Sequence, residues 1–97
     1  MDISDKIKLI RKVEKITQAQ LCDLAEISIS TLKKIEAGYQ EPSLSTISKI
    51  TNYPRFEKYA LWLVTDKTAP EAGQISPALA HSGQENETLP RSEKKTG

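Results

Sequence analysis

Residues 18–37 read QAQLCDLAEISISTLKKIEA, and this stretch decides the fold. Leu21, Leu24 and Ala25 stand at i, i+3 and i+4, the spacing that aligns one face of an α-helix. Leu32 and Ile35 repeat the three-residue step after Ser28, a residue type that caps helix N-termini by accepting a backbone N–H. The reading is two short amphipathic helices joined by a tight turn across Ala25 to Ser28. Helices this short cannot bury their own apolar stripes, so a supporting bundle must cover them. Ser30, Thr31, Lys33 and Lys34 are then left on the outer side of the second helix.

A short helix that projects a polar, cationic side from a bundle has the form of one that enters the DNA major groove. Residues 16–38, ITQAQLCDLAEISISTLKKIEAG, also resemble the helix-turn-helix of the lambda-repressor-like (Cro/C1, XRE-type) DNA-binding family. Thr17, Gln18, Leu21, Ile27, Ser28, Leu32, Ile35, Glu36 and Gly38 carry the match. One position departs: Glu26 stands where the family commonly has Gly. A left-handed backbone is expected there, so either Glu26 carries a small strain or the turn is built differently. The resemblance implies an all-α, compact five-helix DNA-binding domain over residues 1–67; composition sets off residues 68–97 as a largely disordered tail.

Size and composition agree with that outline. Ninety-seven residues with 37% hydrophobic content support one modest core and one domain. There is no run of about 18 apolar residues, and MDISDKIKLI lacks the pattern of a signal peptide. A soluble, cytoplasmic, nucleoid-associated protein with no membrane contact is expected. The single cysteine, Cys22, has no partner for an internal disulfide and reads as a small packed residue. Net charge is only +1, but residues 1–67 hold 11 Lys+Arg against 9 Asp+Glu, and residues 68–97 hold 3 against 4. So mild a basic balance favours a homodimer, which doubles the phosphate contacts of one subunit.

Along the chain, Ile3, Ile7, Ile10 and Val13 predict a first helix over residues 2–15, with Asp2 and Asp5 at its start and Lys6, Lys8, Lys12 and Lys15 on its surface. Thr17 and Gln20 form a capping-box pattern at the second helix. Gly38 stops the third, and Ser43 caps a fourth over about Leu44 to Thr51, with Leu44, Ile47 and Ile50 directed at the core. A fifth helix is expected from near Pro54 to about Val64. It carries two apolar sides, Phe56, Tyr59, Ala60 and Leu63 against Leu61, Trp62 and Val64. That surplus points to a dimer contact involving Phe56, Tyr59, Trp62 and Leu63, or to a tail folded back over the helix.

The resemblance supplies the site. It implies base contacts from Ile29, Ser30 and Lys34 and backbone contacts from Gln18, Tyr39 and Gln40; Ser28, Thr31 and Lys33, at or beside that face, read as further backbone contacts. Lys34 suits a guanine O6/N7 contact and Ser30 several base edges, while Ile29 either packs on a thymine methyl or turns into the core. The resemblance also pairs Arg11 with Glu36, the alternative being a solvated surface charge. From Thr68 the composition is rich in Pro, Gly, Ser and Gln/Glu, too poor in large apolar groups to offset its ordering entropy. Ile75 and Leu79 are its candidates for local docking, and Arg91, Lys94 and Lys95 form a short basic end.

The leading expectation is a sequence-specific transcriptional regulator, a repressor of phage or mobile-element type that binds a palindromic operator as a homodimer. The alternatives are an antitoxin whose tail folds on a protein partner, and a helical adaptor with no DNA activity. No cofactor, metal or catalytic set is expected. The one histidine, His81, lies in the tail, and the folded part holds no nucleophile-base pair, phosphate loop or metal-ligand spacing.

Overall fold

A computed structural model describes residues 1–78 of the chain. Five α-helices follow one another: α1 (Ile3–Val13), α2 (Gln18–Ala25), α3 (Ile29–Glu36), α4 (Leu44–Thr51) and α5 (Ala60–Thr65), with 3-10 turns at Glu57–Tyr59 and Pro70–Ala72. The first four start the same way, on a side-chain oxygen that accepts the N–H three residues on. Asp2 takes Asp5, Thr17 takes Gln20, Ser28 takes Thr31 and Ser43 takes Thr46. At Thr17 the box is complete, because the Gln20 side chain returns the bond to the Thr17 N–H at 2.8 Å. Left-handed residues close the first three helices: Lys15 (φ 60°), Glu26 (φ 59°) and Gly38 (φ 84°).

The core lies where these helices meet. α1 packs on α3 and α5, α2 packs on α3, and α4 packs on the 3-10 turn that precedes α5. Ile7 and Ile10 of α1, Leu21, Cys22 and Ala25 of α2, and Leu32 and Ile35 of α3 are buried together with Ile50, Phe56, Tyr59 and Leu63. Burial, reinforced by the negative charges of Asp23 and Glu36, pushes the Cys22 thiol up, so it is a packed group and not a thiolate.

Four expectations are corrected. Leu44 is 82% exposed and does not face the core. It holds the first position after the Ser43 cap, ahead of the packed residues, and the inward face of α4 is made by Thr46, Ile47 and Ile50 instead. Lys6 is 3% exposed and so is no surface charge. Its ammonium donates to the carbonyls of Trp62 (3.1 Å) and Leu63 (3.4 Å) at the end of α5, and pairs with Asp66. The Trp62 carbonyl also takes the Asp66 N–H at 2.9 Å, and a cation there suits the negative end of the α5 dipole.

The third correction concerns the fifth helix. It does not run on from Pro54: residues 52–56 form turns, and i→i−3 bonds such as Phe56 N–H to Tyr53 O and Tyr59 N–H to Phe56 O precede the true start at Ala60. In an unbroken helix the Leu61 N–H would bond to the Glu57 carbonyl. Here the Gln74 carboxamide stands between them, accepting from Leu61 N–H at 2.9 Å and donating to Glu57 O at 3.0 Å. Phe56, Tyr59 and Leu63 lie in the protomer's own core with no exposed surface, so they offer nothing to a partner chain.

Fourth, the packed part continues past Lys67. Ala69 and Gln74 exchange backbone hydrogen bonds across the Pro70–Ala72 turn, Ile75 N–H donates to Lys58 O at 2.9 Å, Ile75 packs on the core and Pro77 is fully buried. Thr68 to Ala78 therefore belongs to the fold. Leu79, His81, Arg91, Lys94 and Lys95 lie outside the described residues.

A second buried charge went unread in the sequence. The Glu14 carboxylate receives Arg55 Nε at 2.7 Å, Tyr59 Oη at 2.6 Å and Lys58 Nζ at 3.2 Å, tying the end of α1 to the turn before α5. Burial alone would raise its pKa; the three donors outweigh burial and hold it below the ordinary carboxylate range. Burial and the same contact push the Tyr59 hydroxyl well above its usual value.

Candidate nucleic-acid interface

α3 sorts its residues as a helix must that is packed on one side only. Leu32 and Ile35 have no exposed surface, while Ser30, Lys33 and Lys34 are exposed and Thr31 is half-buried. Ile29 is 42% exposed, which resolves its two readings in favour of the outer face. Among the described residues, neither Lys33 nor Lys34 has a hydrogen bond or ion pair through its side chain. The three residues expected at the bases, Ile29, Ser30 and Lys34, thus lie on open surface, and Lys33 beside Lys34 adds a second free ammonium group.

The ends of α3 are fixed by local bonds. Ser28 Oγ accepts Thr31 N–H at 3.1 Å and donates its hydroxyl proton to Thr31 Oγ1 at 2.7 Å. Ser28 thus caps the helix, and the Ser28 and Thr31 hydroxyls stand as a bonded pair at the exposed start of α3. At the other end, Gly38 N–H bonds to Ile35 O and Tyr39 N–H to Lys34 O, a Schellman closure that needs the left-handed Gly38. It delivers Tyr39, 86% exposed, and the exposed Gln40 to the rim of the same face.

Three helices are joined at one carboxylate. Glu36 accepts Arg11 Nε at Oε2 and Arg11 Nη2 at Oε1, both at 2.8 Å, and Gln18 Nε2 at Oε1 at 3.1 Å. Arg11 also donates to the Ile16 carbonyl at 3.1 Å. The Arg11–Glu36 pairing expected from the sequence is present, and Gln18 is drawn into it. Burial would raise the Glu36 pKa, but the bonds from Arg11 and Gln18 and the charges of Arg11 and Lys8 hold it below the ordinary carboxylate range. Gln18 keeps a second amide proton directed elsewhere, at the first position of α2, where backbone N–H groups are also free to meet an anion.

The turn between α2 and α3 is left-handed at Glu26 (φ 59°, ψ 52°), so the strained alternative holds. Lys49 of α4 donates to the Glu26 carbonyl at 3.3 Å and steadies it from outside, a link no local pattern predicts. Among the described residues no group of three or more His, Cys, Asp or Glu could hold a metal ion, and no helix is long and apolar enough to cross a membrane.

A capped helix pair closed by a left-handed turn, with the second helix exposing cations and hydroxyls, defines a helix-turn-helix DNA-binding module. The helix-turn-helix family profile matches residues 7–57, more than half of the chain, which belongs to that family in its lambda-repressor-like, XRE-type form. The chain is similar to Repressor protein C of Escherichia phage P2, 46% identical over 95 residues, 98% of this chain and 96% of that protein. It is also similar to the Immunity repressor protein of Bacillus phage phi105, 44% identical over 50 residues, 52% of this chain but only 35% of that protein. Membership makes the chain a DNA-binding regulator and not an enzyme.

Proposed function

We infer that the protein is a sequence-specific transcriptional repressor of phage or mobile-element type, acting in the bacterial cytoplasm on double-stranded DNA. The observation that carries this reading is the division of α3: Leu32 and Ile35 are sealed in the core while Ile29, Ser30 and Lys34 stand on open surface. Lys34 reaches guanine O6 and N7, Ser30 a neighbouring base edge and Ile29 a thymine methyl. Gln18, Thr31, Lys33, Tyr39 and Gln40 hold the sugar-phosphate backbone and set the angle of α3, with Ser28 acting through Thr31. Repression follows from occupation of a promoter, since a bound module excludes polymerase without chemistry of its own.

A homodimer is part of the proposal. One module makes few phosphate contacts, and two joined about a twofold axis would read two half-sites of an inverted repeat about 34 Å apart. Of the residues first expected at the dimer contact, Trp62 alone keeps some exposed surface, and α5 also carries the exposed Val64. Selection of bound sequences from a random DNA pool, with sedimentation of the complex, tests the reading. The expected result is an enriched inverted repeat bound by two chains. Absence of any enriched sequence overturns DNA reading, and a direct repeat or a single bound chain overturns the twofold arrangement.

A further inference from the structure

The cations of the folded chain divide into two sets. Lys6, Arg11, Lys49, Arg55 and Lys58 are each bonded to a carboxylate or a carbonyl. Among the described residues, Lys8, Lys12, Lys15, Lys33, Lys34 and Lys67 have no hydrogen bond or ion pair through their side chains. Lys33 and Lys34 belong to the face of α3 already described. Three of the other four lie on or just after the second half of α1.

None of the three has an ion pair with an acidic residue of α1. Asp2 is occupied as the cap, Asp5 stands one turn before Lys8 without pairing with it, and Glu14 is turned inward to Arg55, Lys58 and Tyr59. Lys8 and Lys12 are an i, i+4 pair of like charge, a spacing that destabilises a helix and so is not explained by folding. The strip also adjoins the reading face. α1 packs directly on α3, Arg11 between Lys8 and Lys12 grips Glu36, and the positive charge of Lys8 is felt at that carboxylate, to which Gln18 is bonded. Lys15 is exposed in a left-handed turn two residues before Thr17, the cap of α2.

We propose that Lys8, Lys12 and Lys15 form a second phosphate-binding strip, which holds the DNA backbone flanking the segment read by α3. The proposal rests on the DNA-binding reading and extends its footprint from the helix-turn-helix to α1. Phosphate contacts of this kind add affinity and salt dependence without sequence information.

The test is equilibrium binding of the full chain to a selected operator and to a random duplex across a salt series. It compares wild type, the triple variant Lys8→Gln/Lys12→Gln/Lys15→Gln, and Lys67→Gln as an exposed, unpaired control outside the strip. In the triple variant the slope of log K against log salt should fall by about 2 to 3 on both duplexes, since each lost contact lowers it by about 1. Base preference should stay as in wild type, melting temperature should not fall, and Lys67→Gln should leave the slope unchanged. An unchanged slope in the triple variant overturns the strip, as does a loss per lysine in Lys67→Gln equal to that in the triple variant, or a changed base preference. Wild-type chain that binds neither duplex would overturn the DNA reading itself, a distinct result.

Discussion

Gln18 Nε2 donates to Glu36 Oε1 at 3.1 Å, on the same carboxylate that takes two nitrogens of Arg11 at 2.8 Å. A group expected to hold DNA is therefore oriented by the bridge that locks α1 to α3. Side chains of Arg11 and Glu36 are 14% and 3% exposed, so removal of one partner leaves the other charge poorly solvated. Arg11→Ala should destabilise by about 3 kcal/mol and lower Tm by roughly 10 °C or more. A thermal melt within a degree or two of wild type would show the bridge to be no more than a surface pair.

Acid should act through Glu36 and Glu14. Both carboxyls sit below the ordinary carboxylate range in the fold, because bonds from Arg11 and Gln18 at one site, and from Tyr59, Arg55 and Lys58 at the other, outweigh burial. A folded pKa below the unfolded one gives stability that is present above the unfolded value of about 4.3 and lost as pH falls through the folded value. Urea midpoints should hold steady from pH 7 to about pH 5 and fall below it. The fall should be shallower in Glu14→Gln, whose uncharged side chain does not titrate; an equal fall in variant and wild type would remove Glu14 from the account.

Glu26 holds a left-handed conformation that glycine adopts without strain. Glu26→Gly should raise stability by about 1 kcal/mol, while Glu26→Val, branched at Cβ, should lower it by at least as much. The bond from Lys49 goes to the backbone carbonyl and survives both changes. Chemical denaturation of the pair checks the order.

Gln74 fills the gap between Leu61 N–H and Glu57 O. Gln74→Ala leaves both groups without that partner and should destabilise by about 1–3 kcal/mol. It should also quicken proteolytic cleavage near Thr68 to Gly73, because the segment loses its anchor. Protection equal to that of wild type would mean that Ile75 and Pro77 hold it alone.

The parts legible in the sequence are those written in local pattern. Thr17 with Gln20, Ser28, Ser43 and Gly38 mark helix ends through bonds that span no more than a few residues, and the structure keeps each of them. Arg11 with Glu36 was reached through family resemblance, since 25 positions separate them. The remainder depends on long-range partners that periodicity does not encode. Lys6 reads as a surface lysine until α5 ends against it, and Glu14 is unremarkable until Arg55, Lys58 and Tyr59 converge on it. The stripes around Phe56 to Val64 suggested a continuous helix with a spare face, because nothing nearby shows that Gln74 interrupts it. Composition likewise counts apolar area from Thr68 onward but not backbone bonds, and those help hold residues 69–77 in place.

The central claim is that the outer face of α3 reads bases while Gln18 holds the backbone, and base-by-base affinity for variants of a selected operator tests it most directly. Lys34→Ala should lose about 1–3 kcal/mol of discrimination at one base pair and little elsewhere, whereas Gln18→Ala should weaken every sequence alike. Identical losses across all positions in the two variants, or discrimination untouched by Lys34→Ala, would contradict it.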